Sequence, residues 1–421
     1  MKSPRCWRAE TGDEWSVMNA EALMETADRV MASTYSRFPI VLVEGKGCTL
    51  RDADGRTYTD FVAGIAVCNL GHAHDGIAEA VAAQARRLVH VSNLYYSEPQ
   101  IELAQWLVEH SFADRVFFCN SGAEANEAAI KLARKYFKDR GAPNRFRIIT
   151  MEGSFHGRTL ATLTATGQAK IQKGFEPLLE GFDTVPFNDL EAVRGAITDE
   201  ICGVMVEPIQ GEGGVQCPAR GYLEGLRELC DQEGMLLIFD EVQTGIGRTG
   251  KLFAYEHFGV TPDVMTLAKA LANGLPMGAM MARAEVAEAF TPGSHASTFG
   301  GTPLVATAAL TAVKTLLDEG ILENCERLGQ YFRERLRRLQ SKYPFIREVR
   351  GKGLLIGLDM TCEGMSVVKA CMERGFLINC TQEHILRFIP PLIIKEADID
   401  ALVSCLDSVF EGLSTRPEGS R

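Results

Sequence analysis

The chain has 421 residues, with 44 Lys and Arg against 55 Asp and Glu, a net charge of -11. Hydrophobic residues make up 46% and charged residues 24%, which is globular usage and argues against a disordered, collagen-like or coiled-coil chain. The acidic balance argues against a general nucleic-acid binder, and no run approaches the ~18 uncharged apolar residues of a spanning helix. The 12 Cys lie scattered with no CxxC pair, as in a cytoplasmic protein with reduced thiols rather than a disulfide framework. Gly71-His72-Ala73-His74 has ligand-type side chains but no partner cluster, so no metal site is expected. Residues 1–17 lack the apolar stretch of a secretory leader and read as a disordered tail or an extension.

In chain order, a helix is expected at about 19–33. A small antiparallel meander follows from Pro39 to Asp60, with Gly45, Gly47 and Gly55 as turn signals. From 75 to 315, apolar runs at 115–119, 147–150, 201–207, 235–240 and 278–282 alternate with helical stretches at 98–110, 122–138, 188–196, 220–233 and 301–318. Such alternation predicts an α/β fold whose mostly parallel sheet is covered on both faces. After 320 come a helix at 323–341, an extended stretch at 348–359, a helix at 365–374, short strands at 376–379 and 385–389, and a helix at 396–411, a smaller α+β unit. The expected organisation is an N-terminal segment 18–75 packing with the small domain, a large domain 76–315 and a small domain 316–421. Open α/β sheets bind ligands beyond the carboxyl ends of their strands, so the residues just after each run matter most.

The run Val116-Phe117-Phe118-Cys119 leads through Asn120-Ser121-Gly122-Ala123-Glu124 into a helix. A small turn at a helix start suits an anion, although Ser121 with Glu124 also reads as a capping box that needs no ligand. Phe239-Asp240-Glu241 puts a carboxylate at the tip of a hydrophobic run, where it either meets a ligand cation in a dry site or caps a helix. Lys269, in Leu267-Ala268-Lys269-Ala270, is the one charge between Asp263 and Arg283. Either its amine reaches solvent, or it is desolvated and competent as a Schiff-base amine. The polar loop from Pro292 to Thr302 offers hydroxyls or is simply a loop, and His295 within it reads as a loop residue. An anion cradle, a carboxylate for a ring cation, a desolvated lysine and a hydroxyl loop are jointly what pyridoxal 5′-phosphate (PLP) requires.

With these residues go Ser154-Phe155-His156-Gly157-Arg158-Thr159, Val206-Glu207-Pro208-Ile209-Gln210-Gly211-Glu212-Gly213-Gly214 and Asp240-Glu241-Val242-Gln243-Thr244-Gly245. In order and spacing, from about Tyr35 to Phe410, the chain resembles the class III (ω-amino-acid) aminotransferases of PLP fold type I. The resemblance implies a large domain with a seven-stranded, mostly parallel sheet between helices, and a smaller α+β domain. Lys269 would form the Schiff base and move the proton, with Asp240 on the ring nitrogen and Gln243 near the ring hydroxyl. Phe155 and Val242 would cover the two ring faces, Ser121, Gly122 and Ala123 would hold the phosphate, and Glu241 would adjoin the cofactor. Thr298 would reach the cofactor of the neighbouring subunit in a homodimer. Arg158 and Ser297 would touch substrate, Arg387 would take an α-carboxylate, and Glu212 would be its counter-charge when that carboxylate is absent. Tyr35 lies where relatives hold a substrate carboxylate, and Glu207 and Arg248 read as architectural.

Two arginine clamps suit glutamate and 2-oxoglutarate, which carry two carboxylates. Phe61-Val62-Ala63-Gly64-Ile65-Ala66-Val67-Cys68-Asn69-Leu70-Gly71-His72, Ser92-Asn93-Leu94-Tyr95-Tyr96 and Leu386-Arg387-Phe388-Ile389-Pro390-Pro391 are most similar to the branch acting on the terminal amine of an acylated ornithine. Ornithine, 4-aminobutyrate and succinylated donors are the alternatives within the family. A PLP aminomutase, which needs no external oxo acid, is the alternative outside transamination.

Overall fold

The computed structural model describes residues 19–414; the expected extension at 1–17 lies outside them. The central sheet has seven strands, ordered 115–119, 278–282, 264–267, 236–240, 201–206, 147–151 and 182–185. Only Gly278–Ala282 runs antiparallel to its neighbours, and the other pairings are parallel. Its middle strands Ile201–Val206 and Leu236–Asp240 are buried at every position, as both-face coverage demands. Ile238 faces the helix Gly122–Asp139 through Ala129 and Ala133, while Leu237 and Phe239 face the helix Tyr222–Glu233 through Leu223 and Leu226. The helix Asp75–Arg87, which spacing alone does not single out, is capped by His74 through Ile77 N–H.

The predicted meander is Leu42–Lys46, Thr49–Asp52 and Thr57–Asp60. Its last strand pairs in parallel with Phe376–Leu377, joining the N-terminal segment to the C-terminal unit. The stretch at 348–359 is a hairpin, Ile346–Lys352 with Leu355–Met360, which continues to Ile385–Phe388 and Asn379–Thr381.

Between the meander and the large sheet the backbone makes a left-handed turn. Ala63, Gly64, Ile65 and Ala66 all have positive φ, at 50°, 65°, 68° and 58°. For the three non-glycines this costs roughly 1–2 kcal/mol each, so the surroundings must over-determine it. Asp60 does part of that, accepting from Val62 N (2.7 Å) and Ala63 N (2.9 Å) and pairing with His72 Nε2 (2.7 Å). On the far side, the fully buried Arg248 donates to Leu354 O and Pro390 O and to the Asn69 side chain. The architectural reading of Arg248 rests on these contacts.

The Asp60 hydrogen bond holds the His72 imidazole up at about 9, against the opposing effect of burial. A folded-state value above the unfolded ~6.5 means that the pair stabilises fully below about pH 6.5 and is lost as pH rises through about 9. Asp60→Asn should therefore cost on the order of 3 kcal/mol at pH 6. The deficit should narrow above pH 9 in denaturant titrations; a pH-independent deficit would contradict the pairing.

Candidate active site

At one edge of the sheet the chain builds a cavity of about 400 Å³. Its wall is the set of segments that leave that edge: Asn120–Ala123, Phe155–Arg158, Glu207 and Glu212, Asp240 with Val242 and Gln243, Ala268 with Lys269, and Gly274–Met277. This is the strand-end position predicted for open α/β sheets.

Asp240 is 2% exposed. Its Oδ2 accepts from Asn126 Nδ2 and pairs with His156 Nδ1, both at 2.7 Å, and its Oδ1 accepts from Val242 N at 3.0 Å. Thr266, opposite Asp240 in the neighbouring strand, donates to Asn126 Oδ1 at 2.7 Å, which fixes the amide to donate toward the carboxylate. Burial opposes a charge on His156, but the hydrogen bond to Asp240 and its charge, with Glu207, outweigh it and raise the pKa. The buried Nε2 of His156 has no partner among the described residues.

Lys269 follows the strand Val264–Leu267, at φ 44°. Its segment is locked through Asn273, whose side chain accepts from Leu70 N (2.8 Å) and donates to Gly71 O (3.2 Å). Burial lowers the Lys269 pKa; Glu212 opposes that, Arg387 adds to it, and the direction is downward. A lowered amine pKa increases the unprotonated, nucleophilic fraction near neutrality.

Ser121 caps the helix Gly122–Asp139 through Glu124 N (3.2 Å), while Glu124 accepts from Asn120 N. The cap coexists with an open anion site, because Gly122 and Ala123, whose first-turn N–H groups have no partner within the helix, line the cavity. A Cβ on Gly122 would sit 2.7 Å from Val242 Cγ1, so glycine lets the helix start close over Val242. On the other wall, Glu207 accepts from Phe155 N (2.9 Å) and Gly211 N (3.1 Å), tying two loops together. Burial pushes its carboxyl up to about 7.

Arg387 is fully buried and does not line the cavity. It donates from Nη1 to Glu212 Oε1 (2.6 Å) and Gln243 Oε1 (3.2 Å), and from Nε to Asn379 Oδ1 (3.0 Å). Its Nη2 is buried without a partner among the described residues. Burial raises the Glu212 pKa, but the charges of Arg387 and Lys269 overcome that and lower it. Glu212, 29% exposed at its side chain, stands between the guanidinium and the cavity. Arg158 is exposed at the mouth, 5.7 Å from the Phe155 ring, where the cleft meets an outer cavity of about 730 Å³.

Three expected residues lie elsewhere. Glu241 is buried away from the cleft, holding Ala254 N, Tyr255 N (2.8 Å) and Thr244 Oγ1 (3.2 Å). Neighbouring side chains at a strand end point to opposite faces, so only Asp240 of the two can enter. Ser297 accepts from Gly300 N (3.1 Å) and Asn120 Nδ2 (3.3 Å) in an adjoining surface cavity, and Thr298 lies beside it, exposed. Neither lines this chain's own cleft. His295 stacks on Phe290 and meets Lys131, and Tyr35 is exposed near Arg37. Sequence reasoning gave no role to Asn126, Thr266, His156 or Asn379. Asn126 carried a signal, a buried amide among alanines on the inward helix face.

The sequence model of the class-III aminotransferases matches residues 30–410, and the chain belongs to that family. It is a PLP-dependent aminotransferase, and the orphaned His156 nitrogen, the glycine-built helix start and the buried Asp240, all lining the cavity, fit such a ligand. The acetylornithine aminotransferase of Methanocaldococcus jannaschii is 51% identical over 397 residues, covering 93% of this chain and 99% of that protein. That of Caldanaerobacter subterraneus is 52% identical, covering 91% and 97%. Among solved structures, ornithine aminotransferase from Toxoplasma gondii superposes with a TM-score of 0.92 at 35% identity, covering 96% and 97% of the two chains. Acetylornithine aminotransferase from Elizabethkingia anophelis gives 0.84 at 35%, covering 94% and 100%.

His156→Ala should leave the buried Asp240 charge with only the Asn126 amide and the Val242 N–H as partners. Hydrogen bonds to charged groups contribute about 1.5–3 kcal/mol, so PLP affinity, read by equilibrium dialysis, should fall at least about tenfold. Unchanged affinity would refute the positioning role.

Proposed function

We propose that this aminotransferase moves the terminal amino group of N2-acetylornithine to 2-oxoglutarate, giving N-acetylglutamate 5-semialdehyde and glutamate, a step of arginine biosynthesis in the cytoplasm. The relatives at 51% and 52% identity that carry the name acetylornithine aminotransferase support the reading. The observation that carries it is the Arg387–Glu212 pair. An acylated ornithine presents CH₂–NH₂ at the reacting end, with its carboxylate far away. Arg387 beside that neutral chain would be an uncompensated buried charge, and Glu212 neutralises it. Glutamate brings a second carboxylate, for which Glu212 must yield and expose Arg387. Arg158, at the mouth, binds the distal carboxylate in both half reactions.

PLP, when bound, supplies an electron sink for the carbon bearing nitrogen. Gly122 and Ala123, with Ser121, would hold its phosphate; Asp240 would keep its ring nitrogen protonated; Phe155 and Val242 would cover its two faces, and Gln243 would approach its hydroxyl. Lys269, its pKa lowered, would hold the cofactor as a Schiff base and, once released, take the proton from the reacting carbon.

Thr298, absent from its own cleft, would complete a neighbouring subunit's phosphate site in a homodimer. Support comes from the apolar surface around it: Leu94, Tyr95, Tyr96 and Phe299 are 82%, 70%, 95% and 60% exposed, and Asn93 ties that segment to Ser297 O and Gly300 O. Exposed apolar surface of this kind marks an interaction site.

Purified enzyme mixed with single amines, without oxo acid, isolates donor preference. N2-acetylornithine should convert the cofactor at least tenfold faster than free ornithine or 4-aminobutyrate; equal rates reject the reading. Glu212→Gln should slow the acetylornithine half reaction about tenfold or more, a loss of ~1.4 kcal/mol, and spare the glutamate half reaction. Equal losses in both would contradict the counter-charge role.

A further inference from the structure

Two thiols outside the active site lie together in the C-terminal unit. Cys371, in the helix Met365–Glu373, and Cys405, in the helix Glu396–Ser414, have Sγ atoms 4.0 Å apart although 34 residues separate them. Both are buried, Cys371 fully and Cys405 to 8% exposure. The helices pack directly on one another. A disulfide needs sulfurs about 2.05 Å apart, so closing this pair takes about 2 Å of side-chain movement within one packed interface.

We propose that Cys371 and Cys405 are a peroxide-sensitive pair that closes to an intramolecular disulfide clamping the last helix to the small domain. The shared S–H contact holds the Cys405 thiol below its ordinary range, with burial opposing and the Arg374 guanidinium helping, and raises Cys371. Cys405, the thiol nearer the surface, meets peroxide first. Its sulfur takes one peroxide oxygen, the O–O bond breaks, and hydroxide leaves, giving the sulfenic acid. Cys371 then attacks that sulfur, the S–O bond breaks, and water leaves. In sum two thiols and one hydrogen peroxide give one disulfide and two waters; the cysteines are oxidised and the peroxide reduced. The chemistry uses no residue of the cleft.

The test treats the intact holoenzyme with hydrogen peroxide, blocks free thiols under denaturing conditions, and maps peptides without reductant. The expected product is a cross-linked pair containing Cys371 and Cys405, two hydrogens lighter than the sum, with a thermal midpoint raised and restored by dithiothreitol. With dimedone present, Cys371→Ser should trap a sulfenic acid at Cys405, and Cys405→Ser should leave Cys371 a free thiol. Recovery of both thiols alkylated after treatment, or cross-linking only at other cysteines, overturns the proposal in the wild-type protein, whether or not the variants fold. Dimedone on Cys371 in Cys405→Ser overturns the order of attack.

Discussion

A carboxylate buried at the end of the middle strand is the constraint on which the site depends. Asp240 at 2% exposure would be untenable alone, since an unpaired buried charge is costly. Its oxygens are met by the Asn126 amide, the His156 ring and the Val242 N–H. Thr266 orients the amide, and Asp240 in turn raises the His156 pKa, which favours a compensating positive charge on the ring. The helix Gly122–Asp139, the loop after Met151 and the strand bearing Thr266 are thereby brought to one point, and the wall of the cleft follows.

A second ion pair does different work. Arg387 and Glu212 form a contact at 2.6 Å between a fully buried and a partly exposed group. The guanidinium is anchored by Asn379 while the acid faces the cavity. One partner is fixed on both sides and the other is partly exposed, the asymmetry on which the proposed reception of substrates with and without a second carboxylate rests. Lys269 lies in the same field, its amine biased toward the unprotonated form by burial and Arg387 against Glu212. The Arg387 charge proposed for carboxylate recognition therefore also acts on the Lys269 amine.

Much of this was legible in the sequence, for local reasons. Fully buried strands such as Leu236–Asp240 print as apolar runs, and the polar residue that ends each run marks the ligand edge. Ser121 to Ala123, Asp240 and Lys269 could be picked on that ground, while Val242 came only with the family resemblance. Phe182–Val185 escaped because an edge strand bearing Asp183 and Thr184 shows no such run; Val264–Leu267 was read only as the approach to Lys269. His156 and Asn126 lie 84 and 114 residues from Asp240, so their convergence exists only in the fold. Glu241 shows the opposite failure: the resemblance set it beside the cofactor, and the alternation of a strand end turns it away from Asp240. The left-handed turn at Ala63–Ala66 was equally unreadable, because two alanines and an isoleucine carry no preference for positive φ.

The most direct test is where the cofactor is attached. The enzyme is reconstituted with PLP, reduced with borohydride, digested and mapped by mass spectrometry. The phosphopyridoxyl mass should appear on the peptide containing Lys269 and nowhere else at stoichiometric level. Modification of a different lysine, or a fully unmodified Lys269 peptide from colour-bearing enzyme, would contradict the assignment of this cleft.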